Sequence, residues 1–240
     1  MSSQLKVLFV GEGRHDIGPA DFANQYRPAR GVVPTLVRKI VAGVSDDSLA
    51  IAWRNISVNR KAEQGQLVEV AHKRLARKVK QAVAMARRNG CQATICVHDT
   101  DRFDDRVQGL MAGRDLVTVD DGHRVVVGLA VRVVETWTLG APQAIAQVLG
   151  QERKLVEDEI GVALSKIESL SNDSSRAENQ PKFILERVAK MGHRKADVEF
   201  REDVAEATDV AELERNCPKG FRPFAKELRE AFGTTPIGDA

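Results

Sequence analysis

Residues 5–10 (LKVLFV) form an apolar run closed by Gly11 and Gly13. This run constrains the chain more than any other feature. A strand that is apolar on successive positions, rather than on alternate ones, is covered on both faces. Such strands belong to parallel sheets with helices above and below. Residues 49–58 (LAIAWRNISV), 93–97 (ATICV) and 124–134 (RVVVGLAVRVV) read as three more strands, with Glu135 at the end of the last. Pro34 sits where it opens a helix over residues 35–44, after a long loop at 14–31. Residues 66–89 carry Leu67, Val70, Ala71, Leu75, Val79, Ala82 and Met85 at helical spacing, with Gly90 as a stop. A shorter helix is expected at 107–113, and another starts at 135, limited by Pro142. The alternation predicts an α/β fold: a parallel-type sheet with flanking helices.

The character of the chain changes near residue 150. Residues 151–170 read as helical, 171–180 (SNDSSRAENQ) as a polar loop, and two or three amphipathic helices follow. The expected organisation is an α/β domain over 1–150, a helical extension over 151–232 packing on it, and a loose tail at 233–240. Aromatics are only 5% of the chain, so the core must rest on Val, Leu, Ile and Ala. The formal net charge of +2 names no partner, which leaves that to local clustering. Cys91, Cys96 and Cys217 have neither C-x-x-C nor zinc-ligand spacing. They read as reduced thiols of a cytoplasmic protein, with Cys96 buried in a strand. The N-terminus lacks the parts of a signal peptide. No apolar stretch approaches the ~18 to 20 residues of a membrane span, so no membrane partner is expected.

The chemistry is concentrated in carboxylates placed just beyond strands. Glu12 and Asp16 follow the first strand, Asp99 and Asp101 follow the third, and Glu135 ends the fourth. In open α/β sheets, functional groups gather beyond the carboxyl ends of the strands. Clustered carboxylates repel one another unless a cation lies between them. Mg²⁺ and Mn²⁺ are hard, oxygen-seeking ions suited to such a cluster. A bound metal there would polarise a phosphate or activate a water. An Asp-rich loop after one strand is usually a turn or a cap, and Asp104, Asp105 and Asp115 belong with that plainer reading.

The stretches VLFVGEGRHD and ATICVHDTDRFDD resemble the signature of Toprim domains: a first strand ending in E-G-x-x-D and a later one ending in D-x-D. Topoisomerases, primases, recombination proteins and nucleases related to the overcoming-lysogenization-defect family share that signature. VVETWTLG looks like the E-x-W-x-L segment of an uncharacterised bacterial Toprim-like family often encoded near ATPases in defence or mobile islands. The resemblance covers roughly residues 5 to 140, with weaker echoes at QPKFIL and CPKGFRPF. It implies a Mg²⁺- or Mn²⁺-dependent phosphoryl-transfer site on nucleic acid. Glu12 would be a metal ligand or general acid/base, and Asp99 and Asp101 would hold the metal. Asp16 matches the secondary acidic position and Glu135 the later one, and Lys182 is a candidate for a phosphate-contacting or charge-stabilising lysine.

Basic residues gather at 60–88, including Lys73, Arg77 and Lys80, and a basic helical face attracts phosphate backbones. The alternative is a solvated helix face. Arg14, Arg102 and Arg106 add positive charge near the acidic residues, which fits a nucleic-acid phosphate better than a neutral substrate. GEGRHDIG is neither a dinucleotide fingerprint nor a P-loop. His98 reads first as a structural histidine, and Trp53 and Trp137 as packing residues. A topoisomerase needs a tyrosine nucleophile, and this chain has only Tyr26, in a loop. A primase zinc module is beyond three such cysteines.

The expected activity is therefore a metal-dependent nuclease, with DNA as the favoured nucleic acid. The resemblance further implies a nuclease component of an anti-phage defence system working with an ATPase partner. The alternatives are a catalytically silent nucleic-acid- or partner-binding subunit of the same fold, and, more weakly, a nucleotide phosphohydrolase.

Overall fold

The computed structural model describes residues 4–18, 27–58, 71–100, 104–117, 122–131, 133–170 and 177–233. Strands β1 (Val7–Gly11), β2 (Arg27–Pro28), β3 (Leu49–Ala52), β4 (Ala93–Asp99) and β5 (Arg124–Ala130) form one sheet in the order β2-β3-β1-β4-β5. The β1–β3, β1–β4 and β4–β5 pairs are parallel. The two-residue β2 lies antiparallel against β3 at the edge. The chain is thus an α/β protein built on a parallel sheet with flanking helices, the class its hydrophobic pattern predicts.

Both faces of β1 are buried, and successive side chains enter different cores. Val7 and Phe9 join one core; Leu8 and Val10 join the other. The second core is closed by α3 (Ala71–Arg88) and α4 (Asp104–Asp115) through Leu75, Val79, Ala82, Ala86 and Leu110. α4 lies close on α3 at Gly113, where a Cβ would stand 2.6 Å from Val79 Cβ. The first core takes α2 (Val32–Ile40), α5 (Glu135–Leu139), α6 (Pro142–Leu149) and α7 (Arg153–Ile160). It also takes α8 (Pro181–Lys190), α9 (Val198–Ala207), α10 (Val210–Asn216) and α11 (Phe221–Phe232). The C-terminal helices therefore share the core of the sheet. Trp137, fully buried, stacks on Phe224 at 5.5 Å and meets Phe221 edge-on at 5.4 Å. Residues 234–240, the expected tail, lie outside the described residues.

Several boundaries differ from the pattern-based ones, each for a local reason. β3 stops at Ala52 because residues 53–55 turn into a 3-10 helix, with Trp53 Nε1 donating to the Val97 carbonyl at 2.7 Å. β5 stops at Ala130, so Glu135 begins α5 instead of ending a strand. Residues 14–31 are not loop throughout: Arg14–Ile17 make one helical turn, α1, and Arg27–Pro28 form β2. α2 begins at Val32, ahead of Pro34, whose missing N–H falls among the donors that a first turn leaves unpaired anyway. The helix expected from 135 onward is split at Gly140, where a Cβ would collide with Cys217 Sγ at 2.6 Å. Cys91, Cys96 and Cys217 are all free and buried. Among the described residues no helix is long and apolar enough to cross a membrane.

α11 lies on β5 where the strand has no side chain to keep it away. A Cβ on Gly128 would stand 2.7 Å from the Phe224 ring and 2.9 Å from Val97 Cγ2. Gly128→Ala is therefore expected to destabilise the fold by about 1–3 kcal/mol through overpacking. Urea unfolding of the two proteins, compared at equal slope, measures it.

Candidate functional site

The strand order determines where a site can form. From β1 the chain moves to β3 on one side, then returns through α3 to β4 on the other side of β1. The carboxyl ends of β1 and β4 therefore flank the crevice where a doubly wound sheet receives its ligands. Register does the rest. Val7 pairs with Ala93 and Val10 with Cys96, so the same offset carried two residues further sets Glu12 beside His98. The side chains meet there: His98 Nδ1 lies 2.6 Å from Glu12 Oε1 and 2.9 Å from the Asp99 carbonyl oxygen. The ring is held against Trp53 at 5.5 Å between centroids.

Four carboxylates converge on this crevice from separate segments. Glu12 follows β1 and is partly exposed, Asp16 is buried in α1, Asp99 ends β4, and Glu135 opens α5. The protein meets each with a donor. The Gly13 N–H donates to Asp16 Oδ2 at 3.1 Å, and the Val134 N–H to Asp99 Oδ1 at 3.0 Å. Arg201 of α9, itself buried, donates from Nη1 to Glu135 Oε1 at 3.1 Å. These donors do not balance the charge. Burial first, then the Glu135 and Glu12 charges, push the Asp16 carboxyl up to about 7, against the Gly13 N–H and Arg201. Asp99 is driven well above the usual carboxylate range by burial and by the charges of Asp16, Glu135 and Glu12. Glu12 behaves in the opposite way. Burial alone would raise it, but the His98 contact and the His98, Arg106 and Lys78 charges together hold it below its ordinary value.

The cations come from the α3/α4 side. α3 runs back from the carboxyl end of the sheet, so its first turns stand over the crevice. Lys78 Nζ donates to the Trp53 carbonyl at 2.6 Å, and burial and Arg74 lower its pKa against the pull of Glu12. Arg106 Nη1 donates to the Asp99 carbonyl at 2.8 Å. Lys73, Arg77 and Lys80 are exposed on α3. Lys182 is exposed on α8, on the other side of the sheet. Asp101 and Arg102 lie outside the described residues, as does the side chain of Arg14.

The donor chemistry suits a hard divalent cation: the converging carboxylates are oxygen donors, and Asp16, buried, and Asp99, half-buried, are both shifted towards their neutral forms, a shift that a cation would reverse. As arranged, no group of three or more His, Cys, Asp or Glu side chains among the described residues is placed to hold a metal ion. His98, Lys78 and Arg201 are the site residues that the hydrophobic pattern did not single out. For Arg201 a signal existed: it follows Phe200 and precedes Val204 by three, inside the apolar stripe of α9. A charge there needs a buried partner.

Asp16 makes the metal-free protein sensitive to pH. Its pKa rises from about 3.9 in the unfolded chain to about 7 in the fold. Between those values the folded state holds more protons, so stability falls as pH rises. Relative to Asp16→Asn, the metal-free wild type should lose stability from pH 4 to pH 7 and level off above, and added Mg²⁺ should lessen the loss at about pH 7.5. Urea unfolding of both proteins across pH measures this.

The chain matches no protein-family model, no curated protein and no solved structure, so what the site does must be argued from its own residues.

Proposed function

We propose that the chain is a Mg²⁺- or Mn²⁺-dependent nuclease of Toprim-like type, acting on phosphodiesters of nucleic acid, DNA foremost. The observation that carries this reading is the convergence of Glu12, Asp16, Asp99 and Glu135 at the β1/β4 crevice, with Asp16 buried and Asp99 half-buried, each raised first by loss of solvent and then by neighbouring carboxylate charge. Such a set is costly without a cation and becomes favourable with one. When bound, the ion would supply Lewis-acid stabilisation of a phosphoryl oxygen and a more acidic water. The protein's own groups divide the remaining work. Glu12, kept ionised by His98 and the nearby cations, can accept a proton at its carboxylate. Asp99 and Asp16 offer oxygens to the metal. Lys78 and Arg106 place positive charge beside the carboxylates, where a phosphate would otherwise be repelled.

The resemblance to Toprim-like proteins encoded near ATPases supports an ATPase partner and a role in anti-phage defence. Three unpaired, buried cysteines suit a reducing cytoplasm. The second reading is a catalytically silent subunit of the same fold. It is favoured by the lack of a ready-made metal-ligand group among the described residues, since each carboxylate is tied to a protein donor.

The test is cleavage of plasmid, linear and single-stranded DNA and of RNA, with Mg²⁺ or Mn²⁺. Metal-dependent cutting is expected, with Glu12→Gln and Asp99→Asn each slower by about 10²- to 10⁴-fold, and Asp101→Ala likewise impaired. Absence of cutting on every substrate, with metal-independent binding retained, would select the silent subunit.

A further inference from the structure

Away from the acidic crevice, α8, the turn after it and the start of α9 enclose a pocket of about 450 Å³. Lys182, Glu186 and Lys190 line it from one face of α8, four residues apart. Lys195 and Arg194 approach from the turn, and Arg201 forms a floor only 2% exposed. Two of these cations are already matched: Arg194 pairs with Asp203 at 2.9 Å, and Arg201 with Glu135 at 3.1 Å. Of the two acids on the wall, Asp197 is engaged in capping α9, accepting from the Phe200 N–H, and Glu186 is a single carboxylate set between Lys182 and Lys190 on the face of α8. Lys182, Lys190 and Lys195 remain, and no ion pair involves them among the described residues.

We propose that this pocket binds a backbone phosphate of the nucleic-acid strand on which the acidic site works. The proposal rests on the nuclease reading only for the word "works"; the binding itself stands on the pocket. Three lysines against the one uncapped carboxylate of Glu186 leave the concavity with an excess of positive charge, which an anion between them would balance. Lysines give charge without a fixed fork, and among the described residues no aromatic side chain lines the wall for a base to stack on. That chemistry selects phosphate and ignores sequence. The pocket is also coupled in space to the site. The Arg201 side chain that floors it reaches Glu135 with Nη1, so one residue separates the basic concavity from the carboxylates. The cations of α3 and α4 lie on the opposite face of the sheet. A strand crossing the carboxyl edge of the sheet would thus meet positive charge before and after the acidic crevice.

The test uses labelled single-stranded and duplex oligonucleotides, with fluorescence polarisation over a salt series and no divalent ion present. The variant is Lys182→Ala/Lys190→Ala/Lys195→Ala, which changes only exposed side chains. A second triple, Lys154→Ala/Lys166→Ala/Lys226→Ala, removes the same charge elsewhere. The pocket variant is expected to bind at least one oligonucleotide about 10-fold or more weakly, with a log–log salt slope shallower by about 2. The control triple should stay within about twofold of wild type. Equal weakening by both triples would make the effect one of net charge and overturn the proposal. Unchanged binding by the pocket variant would overturn it too. So would saturable binding of inorganic phosphate, followed by calorimetry, when neither oligonucleotide binds. Loss of binding in a protein that never cleaves would leave the pocket standing and the nuclease reading refuted. Cleavage with undiminished binding in the pocket variant would do the reverse.

Discussion

Burial of β1 on both faces is the constraint from which the site follows. Val7 and Phe9 belong to one core and Leu8 and Val10 to the other, all fully buried. A one-residue slip would exchange these sets between cores of different shape, so the register with β3 and β4 is strongly specified. That register carries Glu12 to His98 and Asp99 with no further information needed. Trp53, in the 3-10 turn after β3, reinforces it by donating to the Val97 carbonyl just before the crevice.

The crevice holds more negative charge than the protein neutralises. Backbone donors from Gly13 and Val134 and the buried Arg201 offset part of it, while the Asp16 carboxyl is still pushed up to about 7 and Asp99 well above the usual carboxylate range. Strain of this kind is typical of functional sites, where perturbed carboxylates cluster because something else is meant to compensate them. Arg201 comes from α9, far along the chain, so the C-terminal helices complete the site's electrostatics as well as closing the first core.

The layered architecture also sorts the cations. α3 and α4 cover one face of the sheet and bring Lys78 and Arg106 to the carboxylates, while α8 and α9 cover the other and bring Lys182, Lys190 and Lys195. With a net charge of only +2, the chain has no global pull on nucleic acid. Any attraction must come from such local faces, and it will be weakened by salt.

The sequence by itself determined the α/β class, the main strands, the long helix α3 and the presence of Glu12 just past β1; Asp99, expected beyond the third strand, is the last residue of β4. Each follows from hydrophobic periodicity or from a motif next to a strand, and such signals are local. Its errors were local as well. A continuous apolar run cannot show where a buried strand turns, so β3 and β5 end sooner than the hydrophobic pattern predicts and Glu135 opens α5 instead of ending a strand. Only the tertiary structure decided that His98 contacts Glu12, that Lys78 reaches across to Trp53, and that Arg201 meets Glu135 across 66 residues. Those pairings depend on strand order, on register and on which face each helix covers. These are long-range choices made by the packing of the whole core, and no short window of the chain contains them.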